Sequence, residues 1–212
     1  MNIKKFIDNS LLKPHATEKE IVEFVEKSEK AGFHAVCLPS FWIKRARKLI
    51  SGELKLCSVI GFPHGNIPKE IKIYEALRVV EDGADEVDMV VNISALKSGY
   101  YKYIEEEICA VKRSIKVPLK VIVETCYLTK EEKENILKIC IDGGADFIKT
   151  STGFAKEGAK VEDIIMFKKI GRERIKIKAA GGIRRKEEVI KFIEAGADRI
   201  GTSRGFDIAQ EC

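Results

Sequence analysis

Along the whole chain, short apolar runs alternate with longer stretches in which apolar residues return at helical spacing. The run at 6–12 reads as a strand, Pro14 ends it, and Thr17 with Glu20 forms a capping box that starts a helix. Ile21, Val22, Phe24 and Val25 keep the helical period up to Gly32, after which 34–40 turns strand-like. The alternation then repeats. Helices are expected over 41–50, 68–81, 100–115, 129–142, 161–170 and 186–195, with Pro68 in a first turn and Thr129 and Glu132 as a second capping box. Strands are expected over 54–62, 86–93, 119–125, 147–154, 175–182 and 199–203.

Three helix-to-strand joints carry the same Gly-Ala-Asp, at 83–85, 144–146 and 196–198, a weak internal repeat of one structural unit. Eight strands alternating with helices predict an α/β fold, a closed (β/α)8 barrel of the TIM type. It forms one domain over 1–212 with a short N-terminal segment and a short C-terminal tail. A doubly wound open sheet is the alternative, weakened in its dinucleotide-binding form because no GxGxxG follows the first strand.

Parallel strands covered on both faces read as nearly continuous apolar runs, yet several of these alternate. Glu86, Asp88 and Asn92 oppose Val87, Met89 and Val91; Lys120 and Glu124 oppose Leu119, Val121 and Val123. Lys149 with Ser151, and Lys176 with Lys178, repeat the pattern. With helices outside, the charged parity points into the barrel, where each charge must find a partner. We expect one interior network near the strand C-termini, where barrel active sites sit. For Lys120, Glu124 and Lys176 a purely structural ion network is as good a reading as a chemical role.

Lys149 is the residue to explain, since it interrupts a run of strand formers in FIKTSTGF (147–154). Burial would lower the pKa of its ammonium and leave a nucleophilic amine; otherwise it snorkels to solvent from a strand end. A free lysine, with a pKa of roughly 10.4, is less than about one part in a thousand neutral at pH 7. Lys178 on the neighbouring strand would help by like-charge repulsion. At the ends of the last two strands, Gly181-Gly182-Ile183-Arg184 and Gly201-Thr202-Ser203 bring glycine backbones and hydroxyls together, a pattern suited to phosphate.

Composition narrows the function classes. The net charge of +5 comes from 38 basic and 33 acidic residues spread without a block, a solvated surface rather than a nucleic-acid footprint. The six cysteines, at 37, 57, 109, 126, 140 and 212, form no CxxC pair and fit the thiols of a reducing compartment. His15, His34 and His64 are too scattered for a metal site. With neither a signal peptide nor a spanning segment in MNIKKFIDNS or beyond, a cytoplasmic protein without membrane partners is expected. Trp42, Tyr100, Tyr101 and Tyr103 are expected to cover helix faces or a subunit interface.

IDNSLLKP, AVCLP, VIGFPHG, EVDMVVN, LKVIVET, FIKTSTGF, KAAGGIR and RIGTS occur here in one order, and in that order the chain resembles the deoxyribose-phosphate aldolases, class I aldolases on a (β/α)8 barrel. The resemblance spans most of the chain. It implies reversible cleavage of 2-deoxyribose 5-phosphate to glyceraldehyde 3-phosphate and acetaldehyde, in deoxyribose phosphate catabolism, with no metal or organic cofactor. It makes Lys149 the Schiff-base lysine, Lys178 the second lysine and Asp88 part of the proton relay. It places Asp8, Ser10, Cys37 and Thr150 near substrate, and Gly181, Gly182, Gly201, Thr202 and Ser203 at its phosphate. A homo-oligomer, dimer or tetramer, is expected. Some members carry lysine where this chain has Phe154 and serine where it has Arg204, and the chain reaches Cys212 without the terminal tyrosine of some relatives. Rival readings are another phosphate-binding barrel enzyme, with Lys149 only paired to a carboxylate, and a non-enzymatic phosphosugar-binding module.

Overall fold

In a computed structural model, which describes residues 1–211, both capping boxes close: Thr17 accepts the Glu20 N–H, Thr129 accepts the Glu132 N–H, and each glutamate accepts its threonine's N–H in return. Cys212 lies outside the described residues. The elements run β1 (Ile7–Ser10), α1 (Glu18–Ala31), β2 (Ala35–Pro39), α2 (Ile43–Arg47), β3 (Lys55–Ile60), α3 (Lys69–Glu81), β4 (Glu86–Val90), α4 (Ile93–Lys97) and α5 (Tyr101–Ser114). They continue with β5 (Leu119–Ile122), α6 (Lys130–Asp142), β6 (Phe147–Lys149), α7 (Val161–Gly171), β7 (Lys176–Ala180), α8 (Lys186–Glu194), β8 (Arg199–Thr202) and α9 (Gly205–Gln210). Each strand pairs in parallel with the next and β8 pairs with β1, so the sheet closes as the (β/α)8 barrel expected from the alternation.

The main apolar core lies between strands and helices. Val36, Leu56, Met89, Val121, Ile148 and Ile177 on the outward parity pack with Ile21, Ile108, Ile136 and Phe167 of the helices. Inside the barrel Cys37, Cys57 and Val59 form a small apolar cluster, beside which stand the buried charges of Asp8, Glu86, Asp88, Lys120, Lys149 and Lys178.

The Gly-Ala-Asp repeat has a structural cause. Asp85, Asp146 and Asp198 each donate a backbone N–H to one residue of the preceding strand, Leu56, Leu119 and Ile177 respectively. Their carboxylates accept the N–H of that same residue, at 2.8, 2.8 and 2.9 Å. Each aspartate thereby staples the start of one strand to its neighbour. The preceding glycines, at φ of 103°, 79° and 108°, supply the left-handed turn that leaves the helix.

Several boundaries differ from the sequence pattern. The segment 41–50 is a 3-10 turn followed by the short α2, with neither a capping side chain nor an acidic first turn. Pro68 sits at the N-cap of α3, one place before the expected first turn. β4 stops at Val90 because Asn92 leaves the strand parity and caps α4, accepting the Ala95 N–H at 3.1 Å. β5 stops at Ile122 because Glu124 adopts a left-handed φ of 50°. α9 lies in the expected tail, where Phe206 packs edge-on against Phe24 of α1.

A fully buried ion pair ties α3 and α5 to the end of β4. Lys72 Nζ donates to Glu107 Oε1 at 2.7 Å and to the Val90 carbonyl at 2.8 Å, while Glu107 Oε2 accepts the Asn92 N–H. Removing one partner strands a charge in the core. Glu107→Ala should lower the unfolding free energy by about 3–5 kcal/mol, whereas the double change Lys72→Met, Glu107→Leu should recover most of that loss. Chemical denaturation of the three proteins checks both values.

Candidate active site

The register of the strands stacks the inward charges at the barrel axis. Asp88 pairs in register with Lys120 across β4 and β5, and Lys149 with Lys178 across β6 and β7. Asp88 Oδ1 accepts from Lys120 Nζ at 2.9 Å, and Oδ2 accepts from both Lys149 Nζ and Lys178 Nζ at 2.8 Å. Lys120 continues to Glu86 at 2.6 Å, Lys178 to Asp8 at 2.5 Å, and Arg199 joins Asp8 at 3.1 Å to Glu86 at 3.7 Å. These six groups form a closed ring of alternating charge. Lys120, Lys178 and Arg199 each meet two carboxylates, while Lys149 hangs from the ring on Asp88 alone.

Burial opposes ionisation of Asp88, but the Lys120, Lys149 and Lys178 charges outweigh it and hold the carboxyl well below its ordinary range. For Lys178 burial again works against the charge, and Asp8 and Asp88 overcome it, so its pKa is raised. Lys178 stays protonated. The sequence suggested two lysines in simple repulsion; the structure instead gives Lys178 two counter-charges and Lys149 one shared oxygen.

A cavity of about 540 Å³ opens above this ring at the C-terminal ends of the strands. Lys149, only 3% exposed, reaches its floor together with Asp8, Cys37 and Lys178, and Asp88 lies just beneath. Ser10, Gly181, Gly182, Gly201, Thr202 and Ser203 line the wall. A Cβ on Gly201 would stand 3.1 Å from Lys178 Cε, so the missing side chain makes room for that lysine. The Thr202 hydroxyl is committed to bracing the loop, donating to the Ile183 carbonyl and accepting the Arg204 N–H.

Some expectations need correction. Thr150 does not line the cavity: it faces the helix layer, and its hydroxyl exchanges hydrogen bonds with the Ala180 carbonyl and N–H at 3.0 Å each. Lys176, the first residue of β7, is exposed at the opposite barrel end, 5.6 Å from the centre of the Phe147 ring. The ion network is also taller than expected, since Glu86 and Arg199 begin their strands and carry it down to that end. Phe154, Arg184, Arg204 and Lys13 line the cavity as well, and the loop positions of Arg184 and Arg204 beside the glycines were the available signal for them.

Glu124 leaves the barrel parity. It turns to the loop after β6, where Oε2 accepts the Thr152 N–H at 3.1 Å and a very short bond from the Thr152 hydroxyl. Its Oε1 is buried without a partner. Burial raises its carboxyl pKa against those bonds and the Lys149 charge. Cys37, Cys57 and Asp88 are close enough to suggest a metal cage, but Asp88 already faces three ammonium groups, which oppose a further cation.

A closed parallel barrel with a cavity at the C-terminal ends of its strands, floored by buried charged side chains, defines the class of (β/α)8-barrel enzymes. More particularly, a family model described as DeoC/LacD family aldolase matches residues 5–210, and the chain belongs to that family. It is 50% identical over 212 residues to a deoxyribose-phosphate aldolase of Aquifex aeolicus, covering 100% of this chain and 96% of the relative. It is 46% identical over 216 residues to one of Thermococcus gammatolerans, covering 99% and 96%. Among solved structures, "QR15, an Aldolase" superposes with a TM-score of 0.97 at 50% identity, covering 100% of this chain and 96% of that one. The Aeropyrum pernix deoxyribose phosphate aldolase, described as a unique tetrameric structure, superposes with a TM-score of 0.89 at 31% identity, covering 99% and 90%.

The Glu124 geometry fixes a pH dependence. A carboxyl whose folded pKa is raised contributes stability below its unfolded pKa, near about 4.3, and loses it as pH climbs through the folded value. Glu124→Gln removes that loss, and the amide still accepts from Thr152 while its NH2 takes the orphaned place. The variant should therefore match or exceed the parent's stability at pH 7 and show no such decline above pH ~4 in urea titrations across pH. A loss of more than about 1 kcal/mol at pH 7 would show that the ionised carboxylate itself holds the loop.

Proposed function

We propose that this chain is an aldolase that cleaves 2-deoxy-D-ribose 5-phosphate, reversibly, to D-glyceraldehyde 3-phosphate and acetaldehyde through a Schiff base on Lys149. The observation that carries the reading is Lys149 itself, buried at the cavity floor and tied to one carboxylate oxygen that it shares with Lys178. The names of the Aquifex aeolicus and Thermococcus gammatolerans relatives support the same substrate.

The free amine of Lys149 adds to the substrate aldehyde carbon, and loss of water leaves an iminium. That cation draws in the electrons of the bond between the second and third carbons as it breaks, while the third-carbon hydroxyl gives up its proton, by way of water, to the relay that includes the Asp88 carboxylate and becomes the aldehyde of glyceraldehyde 3-phosphate. The two-carbon enamine left on Lys149 takes a proton at carbon, and hydrolysis releases acetaldehyde and the amine. Lys178, kept protonated by Asp8 and Asp88, is the proton donor beside this centre, and Asp88 orients both amines.

Three carboxylates face four cations in the interior, and Arg184, Arg204 and Lys13 add positive charge at the cavity wall. Such a cavity attracts an anionic substrate. The phosphate fits the end lined by Gly181, Gly182 and Ser203, where Phe154 and Arg204 replace the lysine and serine of some relatives. We also infer a homo-oligomer, since the Aeropyrum pernix relative is described as tetrameric and Phe41, Tyr74 and Tyr100 are exposed here. Among the described residues no helix is long and apolar enough to cross a membrane, and a cytoplasmic place in carbohydrate catabolism fits the substrate.

Borohydride added with acetaldehyde or deoxyribose 5-phosphate should inactivate the protein and leave a reduced adduct on Lys149 by peptide mapping. An adduct mainly on another lysine overturns the assignment, and Lys149→Leu should lose activity on the order of 10⁴-fold or more. For the phosphate end, Gly182→Val or Ser203→Glu should depress kcat/KM for deoxyribose 5-phosphate about tenfold or more while sparing unphosphorylated deoxyribose. Equal losses on both sugars would place the phosphate elsewhere.

A further inference from the structure

Two thiols stand beside the charged ring without a part in the chemistry above. Cys37 and Cys57 are in-register partners on the parallel strands β2 and β3. Their sulfurs and an Asp88 oxygen all lie within 4.8 Å of one another. Neighbouring strands run about 4.8 Å apart, inside the Cα separation of roughly 4.4–6.8 Å that a disulfide spans. The two residues differ in access: Cys37 lines the cavity, whereas Cys57 is sealed behind it. Cys57 Sγ donates to Asp88 Oδ1 at 3.1 Å and receives Lys120 Nζ at 3.5 Å.

We propose that Cys37 and Cys57 form an oxidisable dithiol, a modification site for small hydroperoxides that enter the substrate cavity. The Cys37 sulfur attacks the outer oxygen of the hydroperoxide, the O–O bond breaks, and Cys37 becomes a sulfenic acid as water or an alcohol leaves with the thiol proton. Cys57 sulfur then attacks the Cys37 sulfur, the S–O bond breaks, and its own proton leaves with the hydroxyl as water. Two thiols are oxidised by two electrons and one hydroperoxide is reduced.

The roles follow from the surroundings. Close contact with the Cys57 sulfur, with help from the Lys178 and Lys149 charges, lowers the Cys37 pKa despite burial, while burial raises that of Cys57. The cavity-facing sulfur is therefore the attacking one and the sealed sulfur the resolving one. Closing the bond withdraws the Cys37 sulfur from the cavity wall and removes the thiol donor from Asp88 Oδ1. Asp88 is the group on which Lys149 and Lys178 hang, so oxidation reaches the amine without touching it.

The test treats the whole protein with hydrogen peroxide, blocks free thiols, and maps peptides without reduction. The expected product is a Cys37–Cys57 cross-linked peptide about 2 Da lighter than the sum of its reduced parts, with Cys109, Cys126 and Cys140 still alkylated. This readout does not depend on the aldolase reading. Where aldol cleavage is measured, activity should fall about tenfold or more, the scale of one hydrogen bond to a charged group, and return with dithiothreitol. In Cys57→Ala the same treatment should give no cross-linked peptide and should carry Cys37 past the sulfenic stage to additions of about 32 or 48 Da, which dithiothreitol does not reverse. Free Cys37 and Cys57 after peroxide, oxidation confined to other cysteines, or a disulfide joining other positions would each overturn the proposal. So would full reversibility in Cys57→Ala. The parent peptide map decides the matter even if the variant fails to fold.

Discussion

One carboxylate at the barrel axis holds three ammonium groups, and the interior of this protein is organised around that contact. Asp88 binds Lys120 on one oxygen and Lys149 and Lys178 on the other. Three cations crowded into a poorly polarisable interior would repel one another and retreat to solvent without it. Asp8 and Glu86 extend the arrangement, and Arg199 closes it into a ring of alternating sign. Lys149 differs from its neighbours in touching the ring through a single bond and in reaching the cavity floor. It is the cation that can leave its partner without leaving a second carboxylate unpaired.

Filling a barrel with charge forgoes the apolar core that the interior could have provided, and a buried ion pair is often no more stable than well-packed apolar side chains. The apolar layer between strands and helices takes over that role, with the interior adding a small cluster around Cys37, Cys57 and Val59. The aspartate staples at Asp85, Asp146 and Asp198 work at the same division, joining strands in pairs near their starts. Stability is thus concentrated around and below the site. At the upper end, glycines and short loops leave a cavity.

Membership of the DeoC/LacD aldolase family and full-length likeness to deoxyribose-phosphate aldolases agree with a lysine-centred site. The wall of the cavity is more individual. Phe154 rests edge-on against Phe62 at 5.3 Å, and Arg204 pairs with Asp207 at 3.2 Å, so the rim combines an aromatic contact with a guanidinium held to one side. Cys57, packed on Asp88, puts a thiol against the central carboxylate.

Period and parity were legible in the chain itself. Apolar spacing and two capping boxes marked the eight strand–helix units, and charged residues at alternate positions of Glu86, Asp88, Lys120, Lys149 and Lys178 marked the inward face. Both are local properties that a strand or helix imposes every two or 3.6 residues. Height along the barrel was not legible, because it depends on register between strands far apart in sequence. Lys176 and Lys178 share one parity, yet the first ends outside and the second inside the ring. Glu124 fits the inward parity of β5 but turns away once its backbone becomes left-handed. The Lys72–Glu107 pair gave no signal, since a lysine on one helix and a glutamate on another look like ordinary surface charges until packing brings them together. The ring around Asp88 is of the same kind: its members come from β1, β4, β5, β7 and β8, and only closure of the sheet makes them neighbours.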